Sequence, residues 1–296
     1  TIQWDEVYKD NTSPPDWRQY DRQIEYIAKT NAKIALRIIV GRLYYRLDGY
    51  WTAKETMKDD LGRPLSGVYG RTCFSFSHQP TVAKSQNFIK EVCQRYNAYQ
   101  NQGKILYVSF GNLSTQELGY PHETNFEGGK QYLAGFDYSD SSLDSFRVWA
   151  EKRYKRINKL NYHWGTKYTS FKTLMPPGTA YNPYPTYRKK SGKDWYLFSH
   201  SQLQNYIDGT INGIKQVNPQ YKIVNEYGAV TADFSAMMIA YSFKTLDAKT
   251  DGTKVHNDPY YNHRWVTDVI RSNRPANKWT ANEVFYTSQT PTDLLR

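Results

Sequence analysis

Two rhythms alternate along this chain. Short runs of β-branched, aliphatic and aromatic residues read as strands, and the longer stretches between them carry apolar residues every three or four positions, as amphipathic helices do. Residues 2–4 form a brief strand, and a Pro14-Pro15-Asp16 break precedes a helical series of Trp17, Tyr20, Ile24, Ile27 and Ala28. The run KIALRIIV at 33–40 opens on Lys33 and is then apolar apart from an interruption at Arg37, which suits a strand buried on both faces. A polar, glycine-containing loop is expected over 44–71. Val82, Phe88, Ile89, Val92, Cys93 and Tyr96 mark a helix, and 105–110 (ILYVSF) a strand. The spacing then predicts a long loop over 121–139, one helix through Phe146, Trp149, Tyr154, Ile157 and Leu160, and a loop over 176–193. The clearest helix runs from Leu203 to Val217 and stops at Asn218-Pro219. Strands at 221–224, 254–257 and 279–282 follow, with helices around 237–246 and 265–271 between them.

Strand and helix therefore alternate, which predicts a parallel sheet with helical crossovers. No GxGxxG or GxxxxGK[ST] pattern follows any strand, so a nucleotide-binding open sheet is disfavoured. The expected fold is α/β, a (β/α)8 TIM barrel forming one catalytic domain over residues 1–296. Such a barrel presents its chemistry at the carboxyl ends of its strands. Two glutamates stand there. Glu117 follows the strand at 105–110 in a polar loop with Gln116 and Gly119, and Glu283 closes the last strand in WTANEVFY. Two carboxyl groups facing each other across a pocket are what glycosidic bond cleavage needs: one protonates the leaving oxygen, and the other attacks the sugar or activates water.

Phe146, Trp149, Tyr154, Ile157, Leu160-Asn161, Trp164-Gly165-Thr166 and Ser170 stand in a block similar to F-x-x-W…KYG-x-I-x-x-LN-x-x-WGT-x-x-x-S. That block resembles one in the glycoside hydrolase family 42 β-galactosidases, which are retaining (β/α)8-barrel enzymes. In that family it lies some tens of residues after the acid/base Glu of a Q-N-E-Y-G motif. Here Glu117 precedes Trp164 by 47 positions, and Gln116-Glu117-Leu118-Gly119 aligns with the motif. The resemblance implies that Glu117 is the acid/base and Glu283 the nucleophile. Asp268, Arg271-Ser272 and Pro275 match the D-x-x-R-S-x-x-P segment that precedes the nucleophile. It further implies sugar contacts from Arg71, Gln116, Asp258 and Tyr260; beside these, Trp164 and Phe285 are read as aromatic platforms for a sugar ring, and Glu226 as a residue lining the pocket. The family carries Asn where this chain has Gln116. Asn225-Glu226-Tyr227-Gly228 copies the acid/base motif more closely, which makes Glu226 the competing candidate, but it follows the WGT block instead of preceding it. The similarity runs from the family's second strand to just past its seventh. The first and eighth strands are not recognised, and a fragment of a longer protein is one expectation.

Composition adjusts this picture little. Aromatic residues make up 16% of the chain, with 27 Tyr and 8 Trp, enough to supply sugar-stacking platforms as well as core. The net charge of +11 is spread in short clusters, without the concentrated stripe or motif of a nucleic-acid binder, so no nucleic-acid partner is expected. The expected partner is an oligosaccharide or polysaccharide. A catalytically inactive barrel that binds a glycan or serves as a scaffold is the alternative. Two cysteines, Cys73 and Cys93, are too few for a disulfide framework, and the histidines lack metal-ligand spacing, so neither metal nor cofactor is expected. No stretch is long and apolar enough for a membrane span. No signal peptide is visible, and the expected location is extracellular or periplasmic.

Overall fold

The computed structural model describes residues 1–10, 12–41, 56–64, 73–113, 116–120, 124–127, 130–133, 137–178, 189–227, 243–257, 268, 270–272 and 277–284. Six strands make one sheet: β1 (Ile2–Gln3), β2 (Ile34–Ile39), β3 (Ile105–Gly111), β6 (Ile223–Tyr227), β7 (Gly252–Asn257) and β8 (Trp279–Val284). A separate antiparallel hairpin, β4 (Thr124–Glu127) with β5 (Lys130–Leu133), lies between β3 and β6 in the chain. Every pairing in the large sheet is parallel, and each strand lies beside the next one to join it. The order never reverses. An open doubly wound sheet would reverse it at a switch point, whereas a barrel wall does not.

The outward face is hydrophobic. Leu36, Ile38, Val108, Phe110, Ile223, Tyr227 and Val255 are buried in one continuous core. Helix α3 (Gln79–Arg95) contributes Phe88, Ile89, Val92 and Cys93 to it, and α7 (Lys190–Val217) contributes Leu203, Tyr206, Ile207, Ile211 and Ile214. The two helices pack on each other, and Tyr206 meets Phe110 edge-on at 6.3 Å. Each fully buried Phe, Leu or Ile contributes roughly 1.5–3 kcal/mol, so this layer sets the rigidity of the strands below it.

The elements depart from the sequence pattern in four places. The expected loop at 121–139 contains the β4–β5 hairpin. The expected single helix through Phe146 and Leu160 is two, α5 (Asp140–Tyr154) and α6 (Ile157–Trp164), broken where Lys155 adopts φ 64°. Helix α7 begins at Lys190 rather than near Leu203. Strand β6 continues to Tyr227, so Glu226 sits within the strand and not in the loop beyond it. The helical patterns expected around 237–246 and 265–271 fall largely outside the described residues. Among the described residues, no helix is long and apolar enough to cross a membrane.

Candidate active site

The inward face of the sheet carries a polar cluster among apolar residues such as Ile39 and Val224, and Arg37 explains why the apolar run of β2 is interrupted. Arg37 on β2 registers with Ser109 on β3, and Glu226 on β6 registers with Lys254 on β7. Glu226 is only 3% exposed. Its Oε1 meets the Arg37 guanidinium and accepts from Lys254 Nζ at 2.8 Å, while Oε2 accepts from Ser109 Oγ at 3.3 Å. Both carboxylate oxygens are thus engaged inside the sheet. Lys254 in turn registers with Ala281, and Glu283 stands two residues beyond it, opposite His256. Position 283 is therefore two residues nearer the carboxyl-terminal end of the sheet than the level of Glu226. The Glu283 side chain lies outside the described set.

Glu117 reaches the same rim from the other side of β6. The chain leaves β3 at Gly111 and returns on itself. Asn112 fastens the two ends: its Nδ2 donates to the Gly119 carbonyl at 2.8 Å, and its Oδ1 accepts from the Gly119 amide at 3.0 Å. The Asn112 and Leu113 amides both donate to the Glu117 carbonyl at 3.0 Å. Gln116 holds φ 84°, the left-handed region that non-glycine residues rarely adopt. Arg37 Nη1 donates to Gln116 Oε1 at 2.9 Å, and Nη2 approaches the Gln116 carbonyl at 3.4 Å. On the far side of Glu117, the Leu118 amide donates to the Glu226 carbonyl at 2.9 Å. Glu117 itself is half-buried, between the carboxyl ends of β3 and β6.

This return is possible because β3 ends on glycine. A Cβ at Gly111 would stand 2.0 Å from the Gln116 carbonyl oxygen, which is backbone and cannot swing aside. Gly111→Ala should therefore cost ~1–3 kcal/mol, as overpacking does. Urea unfolding of the variant measures it, and a change near zero would contradict this geometry.

Of the other residues singled out in the sequence, Trp164 ends α6 in the helical layer. Its Nε1 donates to Asp194 Oδ2 at 2.8 Å, and its ring stacks near Phe146 at 6.2 Å. Asp194 is buried and also accepts from the Tyr154 hydroxyl. The WGT block thus closes the α5–α6 pair onto α7, and Trp164 packs there rather than joining Gln116 and Glu117. Gln116 lies beside Glu117, with its side-chain oxygen taken by Arg37. Arg71, Asp258, Tyr260 and Phe285 are outside the described residues. Among those described, no three His, Cys, Asp or Glu side chains gather as metal ligands would. Arg37, Ser109, Asn112 and Lys254 were not singled out from sequence as site residues. The only signal was Arg37 itself, the charge that interrupts the apolar run after Lys33.

The model of glycoside hydrolase family 42, described as β-galactosidase, matches residues 124–290, more than half of the chain. The chain belongs to that family. The family-42 match includes Glu226 and Glu283 and begins seven residues after Glu117. A β-galactosidase from Arthrobacter sp is 28% identical over 128 residues, which are 42% of this chain and 17% of that protein. A β-amylase from Bacillus cereus is 23% identical over 168 residues, 54% of this chain and 28% of that protein. The chain thus spans well under a third of either relative. The catalytic domain of a β-amylase from Paenibacillus polymyxa superposes with a TM-score of 0.75 at 16% identity, covering 99% of this chain and 79% of that one. That agreement in fold places the six strands in the wall of a TIM barrel.

Within the family-42 chain, the second copy of the acid/base motif acquires a different meaning. Asn225 and Tyr227 flank Glu226 on β6 and so face the opposite side of the sheet. There Asn225 Nδ2 and the Tyr227 hydroxyl each donate to Asp247 Oδ1 at 2.8 Å, and Thr253 Oγ1 donates to Oδ2 at 2.5 Å. Asn225 is spent on the core and is not available beside Glu226 for a sugar. Burial pushes the Asp247 carboxyl up to about 6, against the partial opposition of these donors and of Lys278. A raised carboxyl contributes stability that is present below its unfolded value near 4 and is lost as pH rises through about 6. Asp247→Asn should remove that dependence. Relative to wild type, the variant should gain roughly 2–3 kcal/mol between about pH 4 and pH 8. Urea titrations at the two pH values test this, and a pH-independent difference would refute it.

Proposed function

We propose that this chain hydrolyses a β-glycoside, a β-galactoside being the first to try, by a retaining two-glutamate mechanism. Glu283 attacks the anomeric carbon while Glu117 gives its proton to the departing oxygen. Glu117, now a carboxylate, then takes a proton from the water that displaces Glu283 from the sugar. Gln116, Arg71, Asp258, Tyr260 and Phe285 serve as sugar contacts in this reading. Trp164 drops out of that list because it packs in the helical layer, its ring beside Phe146 and its N–H donating to Asp194 on α7.

The observation that carries the assignment is the rim. Glu117 follows the carboxyl end of β3, and Glu283 stands one residue before the end of β8, in a sheet whose strands all run the same way. Glu226, whose motif fits the family better by letter, has both oxygens engaged one layer lower. Family membership supplies the reaction class.

Proton NMR of the first-formed sugar tests the reading on aryl β-galactoside. The β-anomer should appear first and then mutarotate. An α-anomer would overturn retention. Binding of a β-glycan without turnover would favour the scaffold alternative, and cleavage of starch but no β-galactoside would favour an amylase-type specificity, which the fold agreement leaves open.

A further inference from the structure

We infer that Arg37, anchored by Glu226, is a positioning residue for the acid/base: it clamps Gln116 and thereby fixes the direction in which Glu117 presents its carboxyl group. This rests on the reading of Glu117 as the proton donor.

Three observations converge on it. First, Gln116 sits at φ 84°, a conformation a non-glycine residue keeps only when its surroundings hold it. The Arg37 guanidinium does so at two points, the Gln116 side-chain oxygen at 2.9 Å and its carbonyl at 3.4 Å. The peptide that carries Glu117 begins at that carbonyl. Second, the opposite end of the same residue is also tied to Glu226, because the Leu118 amide donates to the Glu226 carbonyl at 2.9 Å. One strand position therefore governs both neighbours of Glu117, one through its backbone and the other through the arginine it holds. Third, Arg37 is held firmly enough to act as a reference point. Its side chain is 17% exposed, it emerges from the middle of β2, and it pairs with a carboxylate that is itself fixed by Lys254 and Ser109. A rigid fork donor rooted in a strand places a loop more accurately than a loop can place itself.

The arrangement explains why an acidic residue in a motif resembling that of the catalytic acid is found inside the sheet. Glu226 neutralises the arginine that aims the acid. It also explains the longer amide before Glu117. Gln116 extends far enough to meet a guanidinium on the neighbouring strand.

A misplaced proton donor has a signature that general loosening lacks. Protonation matters for a poor leaving group and little for a good one. The test compares phenyl with dinitrophenyl β-galactoside on purified, folded protein. Arg37→Lys keeps a cation against Glu226 but cannot span two acceptors in a fork. It should lower kcat/KM on the phenyl substrate by about 10²-fold, within the range general acid catalysis supplies, and change the dinitrophenyl substrate by less than about threefold. Gln116→Ala removes the other half of the clamp and leaves the Arg37–Glu226 pair intact; because Gln116 is also read as a sugar contact, it should lose activity on both substrates, with the phenyl substrate falling at least about tenfold further than the dinitrophenyl one. Equal losses on both substrates, or none on either, in these two variants would overturn the inference. Glu117→Gln is the control. If it shows the selective loss and Arg37→Lys does not, the positioning role alone is wrong. If Glu117→Gln shows none, or wild type cleaves neither substrate, the reading of Glu117 fails and the positioning role falls with it.

Discussion

Glu117→Ala and Glu283→Ala should both lose turnover, but in the presence of azide they should give products of opposite configuration. The acid/base variant should fall about 10²–10⁴-fold on substrates that need protonation. It should still form the glycosyl intermediate from an activated aryl glycoside, and azide, which needs no base to remove a proton, should then displace Glu283. Two inversions give a β-glycosyl azide. In Glu283→Ala the loss should be larger, of the order of 10⁴-fold or more, because the nucleophile and its proton donor work as one unit. There azide enters the space left by the carboxylate and attacks the anomeric carbon directly. One inversion gives an α-glycosyl azide. Product configuration by NMR therefore assigns the roles independently of rate. A β-azide from Glu226→Ala together with no rescue of Glu117→Ala would move the acid/base to β6 and dismantle the site as described.

Reading the fold from sequence succeeded where one physical demand dominated. The outward positions of β2, β3 and β6 must meet helices, so all but Asn225 are apolar or aromatic, and the alternation of elements follows from that. It failed where two demands met in one segment. Arg37 was visible as an interruption in KIALRIIV, yet a strand buried on both faces offers no hint that its inner face is a polar network. That fact depends on Glu226 and Lys254, far along the chain, and no local pattern records the pairing. Strand β6 ran past its expected end for the same reason: Asn225 and Glu226 look like loop residues until Asp247 and Arg37 supply partners on opposite faces. The hairpin at 124–133 was marked by its Gly128-Gly129 pair, a two-residue turn signal submerged in an otherwise polar stretch. Lys155, which divides α5 from α6, is neither Gly nor Pro and gives no warning of a left-handed residue.

The candidate site was legible in part, and in an instructive order. Glu117 and Glu283 are set apart by standing at strand ends, a property of local pattern. The choice between Glu117 and Glu226 could not be made from letters, because the motif tests which residues neighbour the acid and not which way they face. In β6, alternation sends Asn225 and Tyr227 to Asp247, so the letters survive while the geometry they specify does not. In the loop after β3 the reverse holds. Asn is replaced by Gln116, yet Glu117 is held at both neighbours and at its own carbonyl.

Glu226→Ala should be the most destabilising single change in the sheet, at about 3–5 kcal/mol, the usual cost of stranding a buried charge partner. Two cations depend on this one carboxylate. Arg37 and Lys254 have side chains only 17% and 14% exposed, and both lie within contact of Glu226 Oε1. Removing the carboxylate leaves two like charges side by side with little water to screen them, and it withdraws the acceptor of Ser109. Glu226→Gln should cost less, since an amide oxygen can still accept from one of the two, but it cannot neutralise either. The sharper contrast is with the pair removed together. In Arg37→Met with Glu226→Met the remaining Lys254 is a single cation that can reach toward solvent along its flexible stem. The double variant should therefore unfold at higher urea than Glu226→Ala does, even though it discards more of the network. That ordering distinguishes a network held for geometry from one held for stability. A Glu226→Ala variant within about 1 kcal/mol of wild type would mean that the inner face is open enough to hydrate both cations, and Arg37 would then be too mobile to aim anything.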